Sequence, residues 1–163
     1  MKNLYIIMFF FIIGCSTKPN DSHLKLEKIP FIPLPHIVES SNLFLSVNEL
    51  NSIQIKIKSE RIDAVVNDFK IFWKQQTSYE LPINNNLNDN SKSISLELNS
   101  SSEMLKEFYE LKIDKKGIVI TSNTEEGLFR GLTTLKQAVI FSETTNNLKK
   151  LPTGNINDFS NLD

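Results

Sequence analysis

The residues able to carry bond-making chemistry are few and widely spaced. In 163 residues there are two histidines, His23 and His36, and one cysteine, Cys15. The stretch His36-Ile37-Val38-Glu39 comes nearest to the His-Glu-x-x-His helix of a zinc protease, but it lacks the second histidine and follows Pro35. Two imidazoles exclude a three-histidine site. A lone cysteine can neither close an intramolecular disulfide nor build a thiolate zinc cage. No metal or cofactor is expected. His36 reads as a loop or edge residue, and His23 as a solvated linker residue. Glu125-Glu126 are adjacent carboxylates, but neighbours at a helix start point in different directions, so they do not face one bond. The dipole of a helix starting there accounts for both. Gly127 and Gly131, four apart on the same helix, read as packing glycines that let its backbone sit close on a neighbour, not as a phosphate loop. No Gly-x-Ser-x-Gly elbow, phosphate-binding loop or dinucleotide fingerprint is present.

The elements that must position these residues follow from periodicity. Hydrophobic residues make up 40% and charged residues 23%, ordinary for one globular domain with its own core. The formal charge of −1 supplies no positive field for nucleic acid. Arg61 and Arg130 are the only residues suited to bidentate phosphate contacts, and Trp73 and the phenylalanines read as core stripes. Ile29 to Pro35 holds three prolines and predicts an extended edge segment. Strands are predicted at 43–47, at Ile53, Ile55 and Ile57, and at Ile94, Leu96 and Leu98. Residues 84–92 read as loop. Tyr109 to Ile113 and Ile118 to Ile120, joined at Lys115-Lys116-Gly117, predict a hairpin. Helices are predicted over about 60–76 and, after a Thr124 cap, to about Ile140. The polar stretch from Leu148 to Asp163, with Pro152 and Gly154, reads as a tail. The predicted fold class is α+β, a mostly antiparallel sheet with two helices packed on one face and each strand half wet.

Leu4 to Ile13 is an unbroken apolar run followed by Gly14-Cys15. Ten helical residues rise about 15 Å, half a bilayer core, so the run reads as a signal h-region and not a membrane span. Its end looks like a bacterial lipobox. That resemblance implies cleavage before Cys15 and lipidation of its thiol and new N-terminus, with several acyl chains giving stable attachment to the membrane. Cleavage removes Lys2 and takes the formal charge from −1 to −2. The expected plan is a signal peptide over 1–14, a polar tether over 15–28, a domain over 29–150 and a linker over 151–163. The expected location is the bacterial cell envelope, as a membrane-anchored lipoprotein facing the periplasm or the surface.

The order of segments is similar to a known family. Ile32-Pro33-Leu34-Pro35-His36-Ile37-Val38-Glu39 opens the body. Tyr109-Glu110-Leu111-Lys112-Ile113 and Gly117-Ile118-Val119-Ile120 lead into Thr124-Glu125-Glu126-Gly127-Leu128-Phe129-Arg130-Gly131-Leu132-Thr133-Thr134-Leu135-Lys136-Gln137, and Ile156-Asn157-Asp158-Phe159 follows. This resembles the N-terminal accessory domain of glycoside hydrolase family 20, the β-N-acetylhexosaminidases. There a similar hairpin precedes a helix bearing Gly-Leu-x-x-Gly-Leu-x-Thr-Leu-x-Gln, and Ile-x-Asp-x-Pro-Arg-Phe enters the catalytic barrel. Here Ser160-Asn161-Leu162 stands in place of Pro-Arg-Phe.

The resemblance implies a zincin-like fold without zinc chemistry. In the family an Asp and a Glu of the barrel direct substrate-assisted hydrolysis of terminal N-acetylhexosamines, and neither carries over to a position of this sequence. The expected function is therefore a non-catalytic domain of a β-N-acetylhexosaminidase-like lipoprotein, from a truncated or split enzyme. Its expected partners are the membrane and a catalytic barrel in trans or a glycan, with no nucleic acid. The alternative is a stand-alone surface module binding a glycan or a protein. If Cys15 carries the anchor, Cys15→Ala releases the protein from membranes or leaves it unprocessed, and it no longer labels with a fatty-acid probe. Persistent labelling would contradict the lipobox.

Overall fold

The computed structural model describes residues 24–86, 91–99 and 107–159. The expected signal peptide, Cys15, His23, part of the expected 84–92 loop, and Ser160 to Asp163 lie outside the described residues. No helix among the described residues is long and apolar enough to cross a membrane.

The elements run β1 (Ile37–Ser46), β2 (Ser52–Ile55), α1 (Glu60–Thr77), β3 (Ser93–Leu98), β4 (Tyr109–Asp114), β5 (Gly117–Ser122), α2 (Glu125–Phe141), β6 (Glu143–Thr145) and β7 (Leu148–Asp158). One mixed sheet holds all seven strands in the order β1-β7-β4-β5-β3-β2, with β6 also pairing β7. The β1–β7, β7–β4, β4–β5 and β6–β7 pairs are antiparallel, while β2–β3 and β3–β5 are parallel. The α+β class with two helices stands, and its parallel part is a β2–α1–β3 crossover.

Both helices start as their sequences dictate. Ser59 caps α1, accepting from Ile62 N–H, and Glu60 and Asp63 sit in the first turn, where the dipole favours acids. Thr124 caps α2, accepting from Gly127 N–H, ahead of Glu125 and Glu126. The α2 C-terminus, which lacks a basic residue of its own, receives Lys149 Nζ on the Val139 carbonyl at 3.0 Å. In the β4–β5 turn Asp114 Oδ1 accepts from Lys116 N–H at 2.6 Å. The core is one cluster. Cross-strand neighbours Leu111–Ile120, Ile113–Ile118, Leu96–Ile120 and Leu111–Ile156 are all buried, and α2 lies over β3, β4, β5 and β7.

Several expectations are corrected. The stretch expected as a polar tail and linker from 148 onward is largely strand β7, hydrogen-bonded between β1 and β4, so a domain limit at 150 cuts through the sheet. Leu151 and Ile156 bury themselves, and Gly154, at φ +155, passes the Glu39 carbonyl too closely to carry a Cβ. The domain also begins before Ile29. Leu26 is fully buried, its N–H donates to Ser40 Oγ at 2.8 Å, and Leu24 N–H donates to Glu143 Oε1 at 2.6 Å. The Pro-rich segment, expected as an extended edge segment, forms no strand. Its Ile29 and Phe31 are buried, and the Ile32–Pro33 bond is cis. The strand expected at 43–47 is the longer β1, whose register with β7 shifts between Ser40 and Phe44. All four positions of β2 are buried, including Gln54, because the 82–85 segment covers its outer edge: Ile53 N–H donates to the Pro82 carbonyl, and Ile55 N–H to Asn85 Oδ1. Phe129 and Phe141 lie half-exposed on α2 and not on a core stripe.

A chain ended at Lys150 is expected to show no cooperative melting transition by circular dichroism, because it lacks the strand between β1 and β4. A 1–150 chain melting with the midpoint of the full chain would show that the sheet closes without β7.

Candidate functional site

The motif helix α2 is tied inward along most of its length. At its start a Cβ on Gly127 would collide with Ser122 Oγ and lie 2.5 Å from the Phe108 carbonyl oxygen. One turn on, a Cβ on Gly131 would lie 2.5 Å from Ile120 Cγ2 and 3.2 Å from Tyr109 Cδ2. Both glycines therefore set the distance between α2 and the β4–β5 hairpin.

That short distance brings the polar motif residues within reach of four other segments. Arg130 Nη1 donates to Glu107 Oε2 at 2.6 Å, and Nη2 to Asp158 Oδ2 at 3.2 Å. Thr134 Oγ1 and Tyr109 Oη are 2.7 Å apart. Gln137 clasps the Pro-rich segment from both sides: its Oε1 accepts from Ile32 N–H at 2.8 Å and its Nε2 donates to the Ile32 carbonyl at 3.1 Å. Asp158, the last residue of β7 and almost fully buried, meets His36 Nδ1 through its other oxygen at 2.7 Å. Phe159 stacks on the His36 ring at 3.9 Å between centroids.

His36, expected as a loop or edge residue, thus belongs to an Arg130–Asp158–His36 array just ahead of β1. His36 and Asp158 are 122 residues apart, so no local spacing could have paired them. Glu126 pairs with Arg61 at 2.5 Å and joins the starts of the two helices. Of the two arginines considered for phosphate, both are committed to carboxylates.

The described carboxylates with displaced pKa values are displaced away from proton donation. Lys92 holds Glu49 below the usual carboxylate range, and Lys74 does the same for Glu80. Glu126 is lowered by its own backbone N–H and then by Arg61. Among the described residues no cluster of three His, Cys, Asp or Glu side chains is placed to hold a metal ion.

A cavity of about 210 Å³ opens beside these ties, between α2 and the Ile32–Pro33 segment. Around it Ile32 is 79% exposed, Leu34 77% and Phe129 52%, and farther along α2 Ile140 and Phe141 are half-exposed.

Comparisons with known proteins agree with this architecture. The profile of the family described as "Glycosyl hydrolase family 20, domain 2" matches residues 28–159. No curated protein matches the chain. Among solved structures, the GH20 β-N-acetylhexosaminidase of Streptomyces coelicolor A3(2) superposes with a TM-score of 0.62 at 22% identity over 79% of this chain and 26% of its own. The Flavobacterium johnsoniae chitobiase gives 0.69 at 18% identity over 85% of this chain and 22% of its own. The GH20 exo-β-N-acetylglucosaminidase of Vibrio harveyi, in complex with N-acetylglucosamine, gives 0.62 at 17% identity over 80% and 19%. The chain therefore spans about a quarter or less of these relatives.

Burial pushes the Tyr109 hydroxyl up to about 12 from 10.0. The folded state holds this proton more tightly than the unfolded chain does. The resulting stability is full below pH 10 and is lost as pH rises from 10 to 12. Unfolding measurements should show the wild type losing about 2 kcal/mol more across that window than Tyr109→Phe, whose ring cannot ionise. Equal losses would mean that the phenol is not buried in the folded chain.

Proposed function

The chain belongs to the glycosyl hydrolase family 20, domain 2 family, and we propose that it serves as a non-catalytic domain that packs against a catalytic barrel and is held at a bacterial membrane by lipid on Cys15. The observation that supports the non-catalytic reading is geometric: several of its carboxylates, Glu49, Glu80, Glu126 and Asp158 among them, are paired with cations within the domain. Glycoside hydrolysis needs a proton donor near the operating pH beside the leaving oxygen. Here Glu49, Glu80 and Glu126 are displaced the other way, each beside a cation, and Asp158 is spent on Arg130 and His36.

The exposed Ile32, Leu34 and Phe129 beside the smaller cavity support packing against a second domain, since apolar surface gathered at one place marks an interface. A stand-alone glycan module has less support. The two larger cavities, of about 420 and 400 Å³, are lined by residues such as Lys70, Ile71 and Lys74, or Lys58, Glu60 and Asp63, with no aromatic ring to stack on a sugar. Support for the anchor is the apolar run Leu4 to Ile13 ending in Gly14 and the only cysteine.

The purified chain is expected to show no turnover of a chromogenic N-acetylglucosaminide. Turnover that co-purifies with the chain through several columns and disappears on replacing Glu126 would overturn the reading. The partner is tested by reading the genome beyond codon 163: a frame encoding a family 20 barrel supports it, and an intact unrelated gene on that strand favours a separate role.

A further inference from the structure

We infer that the end of the sheet from which the chain leads back to Cys15 is the face laid on the membrane, and that it binds anionic phospholipid headgroups through lysines of two hairpin turns and the entry segment. The inference rests on the reading of Cys15 as a lipid anchor, and it adds which way round the anchored domain sits.

Three observations carry it. The first is where the chain enters the fold. Leu24 N–H donates to Glu143 Oε1, just past the C-terminal end of α2 at Phe141. Cys15 stands nine residues before Leu24. Nine residues span at most about 30 Å, whatever their arrangement. The helix α2, with 17 residues, is itself about 26 Å long. An anchored bilayer is thus held near the C-terminal end of α2, while the other end of the helix is free to stand a helix length farther out.

The second is charge, which decides between lying and standing. Ile113 lies opposite Gly154, with Lys115 and Lys116 beyond it in the β4–β5 turn and Lys149 and Lys150 at the start of β7. Lys149 Nζ reaches the Val139 carbonyl, which puts these turns and the last turn of α2 at one end of the sheet. Lys25 and Lys28 flank the entry beside Leu24. Among the described residues Lys25, Lys28, Lys115, Lys116 and Lys150 are in no ion pair. Nearby acids are each taken up by a backbone N–H: Glu143 by Leu24, Glu27 by Ser40 and Asp114 by Lys116. The opposite end is acidic. Both helices start there, with Glu60 and Asp63 in the first turn of α1 and Glu125 and Glu126 in that of α2. A chain of formal charge −1 is therefore polar along its sheet and positive where it is tethered. Each lysine within a Debye length of an anionic bilayer favours the contact by about fivefold, and the acidic end is repelled.

The third is the apolar tip. Ile140 and Phe141, in the last turn of α2, are 49% and 45% exposed at this same end. Apolar side chains among lysines suit the boundary between headgroups and acyl chains, where both find partners. A phosphate or polyanion in solution would engage the lysines and leave these two side chains in water.

The test uses the full chain, purified with its lipid and placed on vesicles, with one added cysteine to carry a dye. Thr145→Cys marks the lysine end and Ala64→Cys, on α1, the acidic end; both positions are exposed. Energy transfer to an acceptor in the bilayer reports how near each lies. On phosphatidylcholine vesicles with about one-third phosphatidylglycerol, transfer from position 145 is expected to exceed that from 64 several-fold. The difference should shrink on pure phosphatidylcholine and at about 1 M salt, where the Debye length falls to about 3 Å. It should also shrink in the triple variant Lys115→Glu, Lys116→Glu, Lys150→Glu with an unchanged melting curve. If that variant unfolds, Lys115→Gln with Lys116→Gln makes the same comparison with a smaller loss. Equal transfer from the two positions, greater transfer from 64, or a difference indifferent to phosphatidylglycerol, salt and these lysines overturns the proposal. Dye taken up by Cys15 in a chain with no added cysteine removes the anchor reading and this proposal with it, whereas equal transfer on a lipid-modified chain removes the orientation alone.

Discussion

The close approach of α2 to the β4–β5 hairpin sets the geometry around it. At Gly127 and Gly131 there is no room for a methyl group between helix and sheet. Glycine inside a helix costs about 0.5–1 kcal/mol relative to alanine, and contact with Ile120 and Tyr109 offsets that cost through tighter packing. Because the helix axis is this near the strands, short side chains such as Thr134 reach Tyr109, and Arg130 reaches the end of β7. A helix displaced outward by the width of a side chain would lose these hydrogen bonds together.

The same constraint explains why the motif helix is structural in this chain. Its polar residues point to the domain's own segments: the entry at Ile32, strand β4, the Glu107 approach to it, and the exit at Asp158. Entry and exit are thus fastened to one helix within two turns of each other, although they are more than a hundred residues apart in sequence.

Much of this was legible in the sequence where the signal is local. The hairpin of β4 and β5 alternates cleanly around Lys115-Lys116-Gly117, and α2 shows its cap, its acidic first turn and its apolar stripe. Strand β7 was not legible. Lys149, Lys150, Asn155 and Asn157 make it polar, and Pro152 and Gly154 argue against a central strand. It holds its place through partners on both sides, β1 and β4, and through Lys149 reaching the end of α2. Leu24 and Leu26 were hidden for a related reason: two apolar residues in a polar stretch have no periodicity, and only the fold shows Leu26 beside Gly154. The Arg130–Asp158–His36 array is a product of topology, assembled from a helix, a strand end and the residue before β1, and a lone histidine in a sequence gives no hint of it.

Native-state hydrogen exchange tests the central claim most directly, because it reads which segments open together. The account predicts that the amides of β7 from Gly154 to Asp158 that bond to β4 exchange only by global unfolding, with the same free energy as the interior of α2 and the β4–β5 hairpin. Exchange of those β7 amides through a separate opening several kcal/mol below the global value, with α2 and the hairpin still protected, would contradict it: β7 and the exit of the chain would then not be held by α2.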